Sequence, residues 1–286
     1  MTNSSVVIIL YVTIFVSKEL SMARSISRNM ALLLEHLELE QPSLVTNAEL
    51  QTLLDSEGIK TPSRVFASRL HTNGWFLATE QRGVWEFVPA AVAGAFSSND
   101  PLLPLRSFLA KHPDEDCALA LQSAACVRGH ADRMPIHLEV AVSSKETRLR
   151  LPGSIRSFTF QPNLPCDNIR TVPVLANESI VVHMASRPSV VRSWQSAAEW
   201  LPDLSSELTG EQLFEELKTR PKTVSIRTGY LLQGMRPDLS EDIIEKNPPT
   251  AKTRFGSNGT CIRYDGQWQI ADTILPFDPK EFESVL

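Results

Sequence analysis

The chain is poor in the residues that usually announce a reactive centre. It holds four cysteines in 286 residues, Cys117, Cys126, Cys166 and Cys261, and no two of them have metal-ligand spacing. Reduced thiols in a cytosolic protein are the simplest reading of that count, with Cys117 and Cys126 taken as small core residues of one helix. No phosphate-binding GxxxxGK loop, GxGxxG turn, HExxH, GxSxG or CxxC occurs in a suitable context. The six histidines are scattered. His130 and His137 flank Asp132 and Arg133, and His112 sits beside Asp114, Glu115 and Asp116. His137 and Glu139 would share one face of a strand, but no third ligand is in sight. Solvated loops and satisfied histidines account for these clusters more simply. No catalytic residue, metal or cofactor is therefore expected, and the chain is not read as an enzyme.

Long apolar runs are also missing. Residues 6–16 form an apolar stretch of about eleven residues, where a membrane-spanning helix needs about twenty. No basic segment precedes it, so the signal-peptide reading is poor. Residues 1–21 are read as a dispensable leader with Met22 as the natural start; a signal sequence or interfacial anchor is the alternative. A basic surplus is missing too, since the formal net charge is −5. Any contact with nucleic acid must then come from a local patch. Nineteen prolines against twelve glycines imply stiff loops.

What is present centres on residues 46–89. Thr46 is a good N-cap, and Glu49 three residues on completes a capping box. Leu50, Leu53 and Leu54 give an apolar stripe at helical spacing. Gly58 ends that helix and Ile59 plugs the turn. Thr61 and Pro62 open a second helix over 62–72, with Thr61 as cap. Val65, Phe66 and Leu70 face inward there, while Arg64, Ser68, His71 and part of Arg69 are left outside. Asn73 and Gly74 close it. A hairpin follows, with arms 75–80 and 84–88 around Gln81, Arg82 and Gly83, and with Trp75, Leu77, Val84 and Phe87 over a core. Helix, turn, helix and two-stranded wing is the order of a winged helix-turn-helix. On that reading Arg64, Ser68, Arg69 and His71 face a DNA major groove, and Arg82 reaches the neighbouring backbone or minor groove. A fold of this kind used only for protein contact stays open.

Around this centre, residues 26–38 read as an amphipathic first helix and Leu44–Val45 as a short strand that pairs with the wing. Residues 90–99 form a boundary. Beyond it, helices are expected at 102–112 and 117–129. An alternating strand is expected at 136–142, with further strands at 148–151, 157–161 and 171–175. A helical block follows, over 177–187 with Asn177 as cap, 190–200, 209–219 with Thr209 as cap, 222–234 and 239–246. Short strands close the chain around the hairpin signal Asp265-Gly266. Strands, then helices, then strands, without regular βαβ alternation, argue for an α+β fold. The domains expected are 22–95 and 96–286, after the leader. Lys218, Arg220, Lys222, Arg227 and Arg236 form a run with no acidic residue between its ends. A solvated face and a second phosphate or partner patch are both open for it.

These residues carry a family resemblance. Those that carry it are Leu44-Val45-Thr46 with Glu49-Leu50, Leu70 with Gly74-Trp75, and the run from Gly83 through Trp85, Phe87 and Pro89. They continue through Asp100-Pro101-Leu102-Leu103-Pro104-Leu105-Arg106 with Phe108-Leu109-Ala110, then Ser123-Ala124-Ala125, Gly129, Asp132-Arg133 and Pro135-Ile136. Last come Glu178-Ser179-Ile180, Ala185-Ser186-Arg187-Pro188, Arg220-Pro221, Tyr230-Leu231-Leu232 and Thr253-Arg254-Phe255. In that order, over roughly residues 31–276, the chain resembles the AbiEi-type antitoxins and transcriptional regulators of type IV toxin–antitoxin systems. It is most like the mycobacterial members paired with nucleotidyltransferase toxins. The resemblance implies a winged N-terminal domain that binds double-stranded promoter DNA of its own operon and represses it. It also implies a C-terminal domain that counters the toxin without a stable complex, in the cytoplasm and without membrane contact. A nucleic-acid-processing enzyme with its site around 130–139, and a module that sequesters a toxin, are the alternatives.

Overall fold

The computed structural model describes residues 27–92, 99–143 and 151–282. The leader, its apolar stretch, Met22, most of the 90–99 boundary and most of the strand expected at 148–151 lie outside them. The described residues form a mixed α+β structure with ten α-helices and three sheets. They fall into two compact units that meet between Asn99 and Asp100.

In the first unit α1 (Arg28–Glu40) starts at Ser27, whose hydroxyl accepts the Met30 N–H at 3.4 Å. Its inward stripe is Met30, Leu33, Leu34 and Leu37. Strand β1 (Leu44–Thr46) leads into α2 (Asn47–Ser56) through the expected capping box, with Glu49 N–H on Thr46 Oγ1 at 3.1 Å and Thr46 N–H on Glu49 Oε2 at 2.7 Å. Gly58 takes φ +66°, where a side chain would be strained, and the turn it makes buries Ile59. Helix α3 is Ser63–Thr72, and β2 (Phe76–Ala78) and β3 (Val84–Phe87) follow. The sheet order is β1-β3-β2, all antiparallel. The short strand at Leu44–Val45 thus pairs with the second arm of the hairpin. Leu50, Leu54, Phe66, Leu70, Trp75, Phe76 and Phe87 close one apolar core under this arrangement.

Three local expectations change. Thr61 is not the cap of α3; Pro62 holds that position with ψ 138° and makes no side-chain bond. Val65 points outward, 44% exposed, because the buried seam of α3 is Phe66, Ala67 and Leu70. Phe76 is buried where Leu77 was expected inside. Trp75 belongs to the turn, its N–H closing on Leu70 O at 2.9 Å, so the strand's alternation starts one residue later.

The second unit begins with α4 (Leu103–Lys111) and holds a five-stranded sheet of order β6-β5-β4-β8-β7. Its strands are β4 (Cys117–Leu119), β5 (Leu138–Val142), β6 (Ile155–Thr159), β7 (Asp167–Ile169) and β8 (Val172–Val174). The segment expected as one helix from Cys117 is β4 followed by α5 (Leu121–Arg128). Only Cys126 of the two cysteines is helical. Strand β5 is buried on both faces from Leu138 to Ala141, so it does not alternate, and Ile136 ahead of it is 86% exposed. Its neighbours β4 and β6 cover both of its edges. The β7–β8 hairpin turns on Arg170 and Thr171, both at positive φ, without the glycine or asparagine that marks such turns.

Helices α6 (Asn177–Ser186), α7 (Trp194–Ser206), α8 (Gly210–Leu217), α9 (Lys222–Leu232) and α10 (Pro237–Lys246) complete the layer. Ala176, not Asn177, is the cap of α6; Asn177 is buried inside the first turn and donates to Glu207 Oε2 at 3.0 Å. Helix α7 starts later than expected and runs through Pro202. Thr209 caps α8 as expected, accepting the Gln212 N–H at 3.4 Å. A last sheet of order β10-β11-β9 is made by β9 (Thr253–Phe255), β10 (Arg263–Asp265) and β11 (Ile270–Asp272). No helix among the described residues is long and apolar enough to cross a membrane.

Candidate functional site

The exposed face of α3 and the tip of the β2–β3 hairpin carry the candidate residues of the first unit. Side-chain bonds close both ends of α3, and the first fixes it on α2. Gln51 Oε1 accepts the Ser63 N–H at 2.9 Å, so a side chain of α2 caps the start of α3 where neither Thr61 nor Pro62 does. At the other end Asn73 Nδ2 donates to Arg69 O at 2.7 Å, and Gly74 turns at φ +72°. With Phe66, Ala67 and Leu70 inward, helical geometry leaves Arg64, Val65, Ser68, Arg69 and Thr72 along the outside. Arg64, Ser68, Arg69 and His71 are all exposed, as the spacing requires.

The hairpin is tied to α2 as well. Asn47 N–H donates to Gly83 O at 2.8 Å, and Trp85 Nε1 donates to Asn47 Oδ1 at 2.9 Å. Gly83 sits at φ +86°, and a Cβ there would lie 3.0 Å from the Asn47 amide nitrogen. Thr79 Oγ1 accepts the Gln81 N–H at 3.2 Å and lies 2.9 Å from Val84 O. These bonds hold the tip around Arg82, which is exposed. No hydrogen bond or ion pair among the described residues engages the guanidinium of Arg64, Arg69 or Arg82.

His71 differs from its neighbours. Its Nδ1–H donates to Phe76 O at 2.8 Å, and its ring lies 5.6 Å from that of Trp85. It thus helps to join the end of α3 to the hairpin. Gln51, Asn47 and Trp85, which set the geometry, were not singled out from the sequence. Only a polar residue at the right helical position hinted at Gln51, and nothing local hinted at the Trp85–Asn47 bond.

The basic run of the second unit is arranged differently. Lys218 pairs with Glu215 at 3.0 Å on the surface. Arg220 pairs with the fully buried Glu216, donates to Gln161 O at 2.6 Å and lies 4.4 Å over the Phe160 ring. Glu216 also accepts the N–H groups of Asn163 and Leu164 and the Ser179 hydroxyl. Arg227 donates to Arg254 O at 2.8 Å and Ser186 O at 3.1 Å. Arg236 donates to Ser205 O at 3.1 Å in the last turn of α7 and to Leu208 O at 2.7 Å just beyond it, and grips Asp238 with two nitrogens. That grip holds the Asp238 carboxyl below its ordinary range. Lys222 stands exposed, with no tie of this kind among the described residues. Charge spacing thus marked residues whose guanidinium groups serve as internal clamps.

The histidine clusters resolve in the same way. The His130 ring lies between Asp203 Oδ2 on α7, at 2.7 Å, and Glu207 Oε2 just after it, at 3.5 Å. It borders a polar cleft of about 430 Å3 lined by Gln122, Asp132, Arg133, Ser193 and Glu199 among others. His137 is exposed and precedes β5, while Glu139 is buried within it, so the two do not share an outward face. Glu139 Oε2 accepts the Gln122 N–H at 3.0 Å, and burial raises its pKa. The His112 ring lies tilted 5.0 Å from that of Phe108. Burial pushes the Cys117 thiol up to about 12 and raises those of Cys126 and Cys166, which favours the unreactive thiol form. Among the described residues no group of three or more His, Cys, Asp or Glu is placed to hold a metal ion.

Comparison with known proteins gives two findings. The crystal structure of the RV2827C protein from Mycobacterium tuberculosis has the same fold, with a TM-score of 0.74 and 24% identity. The match covers 88% of this chain and 94% of that one. No curated protein sequence matches. The second finding lies in the larger unit, from the start of β4 to just beyond α9. Residues 117–234 match the model of the AbiEi antitoxin C-terminal domain family.

Proposed function

We propose that the first unit is a winged helix-turn-helix that binds double-stranded promoter DNA, and that the protein is the autorepressing antitoxin of a type IV toxin–antitoxin system. In this reading α3 enters the major groove. Arg64, Ser68 and Arg69 reach base edges, His71 backs them, and Arg82 at the hairpin tip follows the phosphates. The observation that carries the reading is the set of three unengaged guanidinium groups on a rigidly tied helix and hairpin. A free guanidinium supplies the forked donors that read guanine, and a net-acidic chain needs such a patch to meet DNA at all.

The match of residues 117–234 to an antitoxin family supports a cognate toxin. The toxin proposed is a nucleotidyltransferase, countered by the second unit without a stable complex, in the cytoplasm and without catalysis by the antitoxin itself. The two domains proposed are 22–95 for DNA and 96–286 for the toxin. The basic run at 218–236 enters as support for the antitoxin unit's fold, with Lys222 and Lys218 as its outward cations.

The test is a titration of promoter DNA over a series of salt concentrations. Arg82→Ala should reduce the slope of log affinity against log salt by about 0.9 for one lost phosphate contact, evenly on promoter and scrambled DNA. Ser68→Ala should leave the slope alone and narrow the preference for promoter. Identical curves for parent and Arg82→Ala would remove the hairpin tip from the DNA interface.

A further inference from the structure

The last sheet lies beyond the segment that matches the antitoxin family, and the reading above gives it no role. Its register aligns three residues. Tyr264 on β10 pairs with Ala271 on β11, which pairs with Arg254 on β9. Directly opposed residues share a face, so these three form one row about 10 Å across. The rows on either side, Asp265-Ile270-Thr253 and Arg263-Asp272-Phe255, face the interior. The outward row therefore presents an aromatic ring, a small methyl and a guanidinium in sequence. Tyr264 is 51% exposed, and Ile262, just ahead of β10, is 60% exposed. Lys252 Nζ stands 5.8 Å from the Tyr264 ring centre.

Two further observations bear on what this face would take. Between residues 247 and 277 the only carboxylates are Asp265 and Asp272, and both are buried. Lys252 and Arg254 thus stand outward with no exposed acid in their own segment, on a chain whose net charge is negative. The platform is also rigidly mounted. Asp272 accepts the Tyr230 hydroxyl at 3.0 Å, Arg263 Nη1 at 3.1 Å, and the Ile274 and Leu275 N–H groups at 3.0 Å each. Arg227 holds β9 by the Arg254 carbonyl, and Trp268 packs so closely on Gly229 that a Cβ there would lie 2.1 Å from the ring.

An exposed aromatic ring flanked by cations, on a stiff sheet with a small residue at its centre, has the chemistry of a stacking platform for single-stranded nucleic acid. We propose that the outward face of the β10-β11-β9 sheet binds single-stranded nucleic acid, with a base stacked on Tyr264 and phosphates held by Lys252 and Arg254. The Asn258 amide, which accepts from Arg254 Nη1 at 2.5 Å, orients that guanidinium and leaves its other N–H groups for the phosphate. This site is independent of the duplex-binding reading, because it lies in the other unit.

The experiment uses the full chain and fluorescein-labelled U12 RNA and T12 DNA, read by anisotropy, with unlabelled promoter duplex in excess to occupy the first unit. Tyr264→Ala should weaken oligomer binding about 5- to 150-fold, the usual range for one lost stacked base, while Tyr264→Phe should bind as the parent. Lys252→Gln with Arg254→Gln should lower the salt slope by about 0.7 for each lost contact. Greater affinity for U12 than for T12 would add the ribose hydroxyl to the recognised groups; equal affinity would leave base and phosphate as the ligand. Far-UV circular dichroism checks each fold, and the charge variants supply a second readout should Tyr264→Ala misfold. Three results would overturn the proposal. They are no oligomer binding by the parent, parental affinity in folded Tyr264→Ala with an unchanged salt slope in the charge variants, and binding lost through Arg64→Ala but not through any sheet variant.

Discussion

In the first unit the guanidinium groups of Arg64, Arg69 and Arg82 stand at exposed positions with no partner among the described residues. In the second unit those of Arg220, Arg227 and Arg236 close on carbonyls and carboxylates of other elements. The same side chain is available to a partner in one place and is part of the frame in the other. Composition does not separate the two cases. What separates them is whether the surrounding backbone has carbonyls left over. The ends of α6 and α7 leave such groups, and Arg227 and Arg236 satisfy them. Helix α3 ends on its own Asn73 and the turn at Gly74, so it makes no such demand on Arg64 or Arg69.

The largest effect expected from this contrast comes from Arg220→Ala. It strips the fully buried Glu216 of its countercharge, and such a loss typically costs about 3 kcal/mol. Urea denaturation should show that loss with promoter affinity unchanged. A variant as stable as the parent but weaker on DNA would place Arg220 with Arg64 and erase the contrast.

A second frame element is testable through pH. His183 is fully buried on α6, stacked 4.3 Å from Phe160, and neither ring nitrogen has a hydrogen-bond partner among the described residues. Burial first, then Arg187 and Arg220, lowers its pKa to about 3. In the unfolded chain it takes up a proton near 6.5, so between these values the unfolded state binds more protons and stability falls as pH falls. The slope from this group alone is about 1.4 kcal/mol per pH unit. His183→Leu should flatten the stability–pH curve below 6.5 by that amount. An unchanged curve would mean that His183 is charged in the folded protein.

A smaller effect sharpens the first unit's side. Thr46→Ala removes one half of the capping box and should cost about 1 kcal/mol by thermal unfolding. Promoter preference should persist, since α3 keeps its Gln51 cap. A larger loss of specificity than of stability would give Thr46 a direct contact.

How far these features could be read in advance depended on how local their causes are. The capping box, Gly58, Gly74 and the hairpin at 81–83 are signals within a few residues, so the order of α2, α3, β2 and β3 was legible. The break between β4 and α5 was not. It falls at Ala120 and Leu121 without glycine or proline, and Leu121 sits at φ +49°. Distant partners hold it there: Glu139 O takes the Ala120 N–H and the Glu139 carboxylate takes the Gln122 N–H. The outward face of α3 followed from helical period except at Val65, which was expected inside. The internal bonds of the basic run at 218–236 were not legible for the opposite reason, because Arg220 reaches a carbonyl 59 positions earlier in the chain, which spacing does not encode. The outward row of the last sheet was hidden until the parallel pairing of β9 with β11 set Arg254 level with Tyr264.

The central claim is tested most directly by measuring stability and DNA discrimination together on Arg64→Ala and Arg227→Ala. Each variant is titrated with promoter and scrambled duplex at one salt concentration and unfolded in urea. The account predicts that Arg64→Ala keeps parental stability within about 0.5 kcal/mol and loses about 1–3 kcal/mol of discrimination. It predicts that Arg227→Ala loses about 2 kcal/mol of stability and keeps its discrimination. Parental discrimination in folded Arg64→Ala, together with a loss of it in Arg227→Ala, would contradict the account.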